Sequence, residues 1–138
     1  MVIFMKTSEI IRNMFMQGAG SIVVTTLRGK SHLVKLNKDG KTVSSETGLR
    51  TQQLDLSVFD IVVDFLRENG GMAPKGNGRN SKVGHGKCTS DTVCYCIATK
   101  YYGHKVGEST FDPVFIIAAI LDMAGICENS RGYLRLKF

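Results

Sequence analysis

The chain has 138 residues, 43 % of them hydrophobic and 22 % charged, with a formal net charge of +6 and no tryptophan. That length suits one compact domain, or a domain with a small appendage, and that apolar content excludes a disordered chain. The longest apolar run falls well short of the roughly 20 residues of a membrane span, and Met1 to Lys6 is too short for a signal-peptide core, so a cytoplasmic protein without a membrane partner is expected.

In chain order, Thr7 is placed to cap an amphipathic helix from Ser8 to about Gln17, with Ile10, Ile11, Met14 and Phe15 at helical spacing. Ser21 to Leu27 is β-branched and strand-like. Arg28, Gly29 and Lys30 turn it back into Ser31 to Leu36, and Asp39-Gly40 marks a second hairpin into Lys41 to Ser45. A three-stranded antiparallel meander follows from this pattern, and it needs a helix against one face. Ser44 to Leu54 is polar and rich in turn formers, which reads as the junction between two units. Ser57 then opens a helix to Asn69, in which Val58, Ile61, Val62, Phe65 and Leu66 make a broad apolar face that Gly70-Gly71 ends.

Residues 70–87, GGMAPKGNGRNSKVGHGK, hold six glycines, four basic residues and no acid, and read as a flexible basic loop. Nucleotide-binding signatures fail here. Gly86-Lys87 is followed by Cys88 instead of Ser or Thr, and Gly76 and Gly78 are followed by Ser81 where a dinucleotide fingerprint needs its third glycine. Thr89 or Ser90 is expected to cap the next helix, Asp91 to Tyr102. With Lys87 beside it, that helix start reads as an anion site. Asp112, Pro113 and Gly125 bracket a further, strongly apolar helix. Ile126 to Glu128 and Tyr133 to Phe138 follow as strands of a hairpin, with Leu134, Leu136 and Phe138 on one face and Tyr133, Arg135 and Lys137 on the other.

Ala124-Gly125-Ile126 closing the last helix, followed by Arg131-Gly132-Tyr133 at a hairpin corner, resembles the end of a winged helix-turn-helix domain. The resemblance covers about Leu56 to Phe138. It implies a three-helix unit with a two-stranded wing and a DNA-binding role. The expected fold is therefore α+β. Residues 1–53 form a small unit of one helix and a three-stranded meander, and 54–138 form a winged-helix-like domain with the Gly-rich basic loop at 70–87.

Charge is concentrated in residues 75–105, which carry six basic side chains and one acidic one. Duplex DNA is the partner this pattern favours. The expected phosphate contacts are Lys75, Arg79, Lys82 and Lys87 in the loop, Lys100 and Lys105 around the second helix of the unit, and Arg131, Arg135 and Lys137 in the wing. The last helix offers Asp112 and Asp122 but no Lys or Arg, so it is expected to be buried, against the meander or in a homodimer interface. A protein-interaction module without nucleic-acid binding is the alternative. A cysteine or zinc enzyme is a third reading. Zinc would need His85, Cys88 and either Cys127 or His104 to converge, because Cys94 and Cys96 diverge by about 200° on a helix. Nucleophilic chemistry would centre on Cys88, with Lys87 and a helix start to acidify its thiol and His85 as base. No motif demands either, so the four cysteines are expected to be reduced thiols, with no metal, cofactor or catalytic residue.

Overall fold

The structure, a computed structural model, describes residues 5–137. Phe138, expected on the inward face of the last strand, lies outside them, as do Met1 to Phe4. The described residues form a mixed α+β fold of four helices and two antiparallel sheets, without a barrel. None of the helices is long and apolar enough to cross a membrane.

Helix α1 (Thr7–Gln17) starts one residue earlier than its sequence signals predict, and Thr7 is not its cap. The Ser8 amide finds its acceptor far along the chain, in Asp60 Oδ1 at 2.9 Å, so a tertiary contact does the work of a local one. Strands β1 (Ser21–Thr25), β2 (Ser31–Leu36), β3 (Thr42–Ser44) and β4 (Gln53–Asp55) pair in sequence order as an antiparallel sheet. The expected three-stranded meander thus has a fourth strand. β4 crosses the boundary predicted between residues 53 and 54, and it was hidden because a three-residue strand with only Leu54 buried leaves no periodic signal. Val24, Val34, Val43 and Leu54 fill the inner face and Arg12 Nε donates to the Gly40 carbonyl at 2.8 Å, holding α1 to the β2–β3 turn.

Helix α2 (Ser57–Glu68) matches its prediction. Asp55 Oδ1 accepts from the Ser57 amide at 2.9 Å, and the Gly71 amide closes on the Leu66 carbonyl at 2.7 Å, with Gly70 at φ +75°. The next element is a strand, β5 (Met72–Pro74), inside the segment expected to be loop throughout. It becomes the first strand of a second sheet, ordered β5-β7-β6, with β6 (Cys127–Ser130) and β7 (Tyr133–Leu136) forming the expected C-terminal hairpin.

Helix α3 (Val93–Cys96) is capped by Thr92, whose Oγ1 accepts from the Tyr95 amide at 3.1 Å, and not by Thr89 or Ser90. The residues before it curl into a turn in which the Thr92 amide donates to the Thr89 carbonyl at 2.9 Å, which delays the helix. α3 widens at once into a π turn, Ile97–Tyr101, with Tyr102 N on Ile97 O at 3.0 Å. The Thr99 hydroxyl bonds back to the Tyr95 carbonyl, and the Tyr101 hydroxyl accepts from the Asp55 amide at 2.8 Å, fastening this helix to β4.

Helix α4 (Val114–Met123) is almost wholly buried, with Val114, Ile116, Ile117, Ile120 and Leu121 inside the core. Asp112 Oδ1 accepts from the Val114 amide and Gly125, at φ +75°, stops the helix. Of the apolar side chains that motivated a homodimer, Val114, Ile116, Ile117, Ile120 and Leu121 are covered within the chain, whereas Met123 stays exposed. The Ile116 Cδ1 atom crowds the place where a Cβ on Gly48 would sit, in the turn between β3 and β4, and α4 also packs beside β1. One continuous buried cluster runs from Ile11 and Phe15 through both sheets to Leu134.

Candidate functional site

The segment between β5 and α3 is no loose loop. The Asn77 amide donates to the Lys87 carbonyl at 2.9 Å, Gly84 N to Cys88 O at 2.8 Å, and Val83 N to Glu108 O at 2.9 Å. Two glycines are dictated by close approach. A Cβ on Gly76 would stand 2.7 Å from both Lys87 O and Thr92 Cβ, and one on Gly78 would stand 2.9 Å from Cys94 Sγ. Beneath it is the half-buried Asp112, with Oδ2 accepting from the Gly78 amide at 2.7 Å and Oδ1 from Val114, so a single carboxylate clamps the loop to the start of α4. Burial raises the Asp112 pKa, and those two amide bonds oppose the rise.

The nine basic residues expected at a phosphate surface fall into three situations. Lys75 is only 4 % exposed. Its Nζ donates to Asn129 Oδ1 at 2.8 Å and lies 5.8 Å from the centre of the Phe115 ring, and burial lowers its pKa. It faces inward, between β5 and the hairpin, because it continues the β5–β7 ladder through its amide on Gly132 O. Lys100 and Arg135 are exposed but paired, Lys100 Nζ with Glu68 at 3.7 Å and Arg135 with Glu128, whose own pKa is lowered by that hydrogen bond. Arg79, Lys82, Lys87, Lys105, Arg131 and Lys137 are exposed and make no ion pair among the described residues.

Two of the loop's backbone bonds relate three of these six, Arg79, Lys87 and Arg131. Lys75 N donates to Gly132 O at 2.9 Å and Asn77 N to Lys87 O. The hairpin tip with Arg131 and the loop end with Lys87 are therefore joined through three consecutive residues, 75 to 77, and Arg79 follows two positions later. In contrast, Lys100 is drawn toward the end of α2, by Glu68 and by the Phe65 ring 6.0 Å from its Nζ.

The sulfur and imidazole groups are arranged differently from either enzymatic reading. Cys88 turns inward, fully buried, with its Sγ 3.0 Å from Cys94 Sγ, while His85 is exposed on the outer turn. Cys94 has its thiol pKa pushed up, first by burial and then by the Asp112 charge. Burial also raises Cys96 to about 11 and Cys127 to about 12. His104 lies with Tyr102, ring centres 5.9 Å apart, and its Nδ1 is 3.8 Å from Glu108 Oε1. Among the described residues no three His, Cys, Asp or Glu side chains converge as a metal site. The Cys88–Cys94 pair and the clamp role of Asp112 escaped the sequence reading. The only signal for either was the run of glycines, which mark where backbone must approach a side chain.

The exposed strip of α4 is apolar and acidic, with Phe115 42 % and Met123 51 % exposed and Asp122 between them accepting from the Asn129 amide at 2.8 Å. A shallow cleft beside it is lined by Thr25, Leu27, Ala119, Asp122, Met123 and Asn129. No family model matches the chain, and neither does any curated protein or solved structure.

Proposed function

We propose that the chain binds duplex DNA through phosphate contacts made by the basic loop and the C-terminal hairpin of a winged-helix-like unit spanning α2 to β7. The observation that carries this reading is the backbone junction at residues 75–77, which links the loop end at Lys87 to the hairpin tip at Gly132, next to Arg131. The order of elements, with α4 leading directly into the hairpin, supports the winged-helix comparison. Arg131, Lys87, Arg79 and Lys82 are the phosphate-contacting side chains in this reading. Because α4 presents Phe115, Asp122 and Met123 outward and carries no cation, the contacts position the duplex and do not read base edges.

The test is a fluorescence-anisotropy titration of a labelled duplex across a range of salt. Affinity falls as salt rises, with a log–log slope of about 0.9 per neutralised phosphate. Arg131→Ala and Lys87→Ala each flatten that slope by about one, whereas Lys75→Met leaves it unchanged because that ammonium is committed to Asn129. Absence of a complex at low salt, or unchanged slopes in the first two variants, overturns the reading. A second reading, a protein-interaction module, rests on the cleft lined by Leu27, Ala119 and Met123, where a protein partner or a second copy of the chain would find apolar contact. Loss of binding to a partner on Met123→Lys, with DNA affinity unchanged, would favour it.

A further inference from the structure

We propose that Cys88 and Cys94 are a reversible dithiol–disulfide pair, a covalent modification site that ties the basic loop to the first turn of α3. Their sulfurs are 3.0 Å apart in the thiol state, and both side chains are buried. A disulfide needs about 2.05 Å between sulfurs, so bond formation asks for roughly 1 Å of closure. Both backbones are already held in place. Cys88 N is bonded to His85 O and Cys88 O to Gly84 N, while Cys94 N is bonded to Lys75 O, all within 2.9 Å. Among the described residues no other two sulfurs come within hydrogen-bonding distance. Cys96 Sγ instead faces the Ile61 carbonyl at 3.9 Å.

The oxidant is a low-molecular-weight disulfide. Local opening of the loop exposes Cys88, since Cys94 stays on its helix. The Cys88 thiolate, having lost its proton to solvent, attacks one sulfur of the reagent and releases one small thiolate, leaving a mixed disulfide. The loop recloses, Cys94 gives up its proton and attacks the Cys88 sulfur, and the second small thiolate leaves. Two protein thiols are oxidised to one S–S bond, and the reagent's S–S bond is reduced to two thiols. Burial of Cys88 holds the first step back until the loop opens, so the loop's opening controls the modification. Once formed, the cross-link removes that opening motion, because Cys88 can no longer leave α3.

The experiment equilibrates the full chain with oxidised and reduced glutathione over a range of ratios, denatures it in an alkylating agent, and reads intact mass and peptide maps. The expected product carries two alkyl labels, on Cys96 and Cys127, has lost about 2 Da relative to the reduced chain before labelling, yields a linked 88–94 peptide, and reverts on reduction. Its thermal midpoint rises on the order of 5 °C. Cys88→Ser forms no internal disulfide under the same conditions. Four labels at the most oxidising ratio, a stable glutathione adduct as the end product, or a linkage involving Cys96 or Cys127 would each overturn the assignment. A formed Cys88–Cys94 bond with no rise in midpoint would overturn the loop-tying consequence.

Discussion

Replacing Gly48 by alanine tests how the N-terminal sheet and α4 share one core. Gly48 does not have a positive φ, so alanine suits its backbone and gains about 0.4–1 kcal/mol from a stiffer unfolded chain. Its new methyl group, however, would clash with Ile116 Cδ1 and lie 3.3 Å from both His32 Cγ and Ser45 Oγ. A carbon pair rests near 3.5–4.0 Å, so the Ile116 methyl must retreat by more than about 1 Å inside a core where that side chain is 3 % exposed. Overpacking of that kind costs about 1–3 kcal/mol, leaving a net loss of about 1–2 kcal/mol for Gly48→Ala. Ile116→Val removes the very atom in conflict and costs about 0.5–1.5 kcal/mol alone. In the double variant the alanine methyl occupies the vacated space, and the pair should be more stable than additivity allows by about 1 kcal/mol. Equilibrium urea unfolding of the four proteins at constant m-value measures this. Additivity within about 0.5 kcal/mol would mean that the 45–49 turn does not pack on α4 and that the shared core is wrong.

Two further outcomes follow from buried polar groups. Among the described residues the buried Tyr102 hydroxyl has no hydrogen-bond partner, and burial raises its pKa, so Tyr102→Phe should be neutral or stabilising by about 1 kcal/mol in the same unfolding assay; a loss above 1 kcal/mol would contradict that environment. Asp112 has a folded-state pKa raised above its unfolded value, so the folded chain binds the proton more tightly. Its stabilising contribution is complete below about pH 3.8 and is lost as pH rises through the folded pKa. The stability difference between the native chain and Asp112→Asn should therefore shrink from acid to neutral pH, and a difference that grows over that range would refute the assignment.

The elements legible in the sequence were those whose signals are local and redundant. α2 carries five apolar positions at helical spacing and a double-glycine stop, and α4 carries Asp112 before it and Gly125 after it, so both were found to within a residue or so. β7 showed its alternation, with Leu134 buried between exposed Tyr133 and Arg135. What escaped was decided by distant partners. β4 and β5 are three residues each and exist because β3 and β7 pair with them. Counting lysines could not reveal that Lys75 points at Asn129, some fifty residues away, because a charge in a Gly-rich stretch looks solvated until the ladder that buries it is known. Gly76 and Gly78 stand out in the sequence, where glycine suggests backbone freedom, whereas they serve close contact with Thr92 and Cys94.

The strand order β5-β7-β6 places the last of the described strands at the centre of its sheet. On a ribosome, β5 and β6 therefore emerge with no neighbour to bond, and neither can complete a ladder until Tyr133–Leu136 has followed. The first sheet has no such delay, since each of its strands pairs with the one synthesised just before it. The growing chain can thus close its first sheet while the second still waits for Tyr133–Leu136, so the second sheet is assembled only after both of its flanking strands have been made.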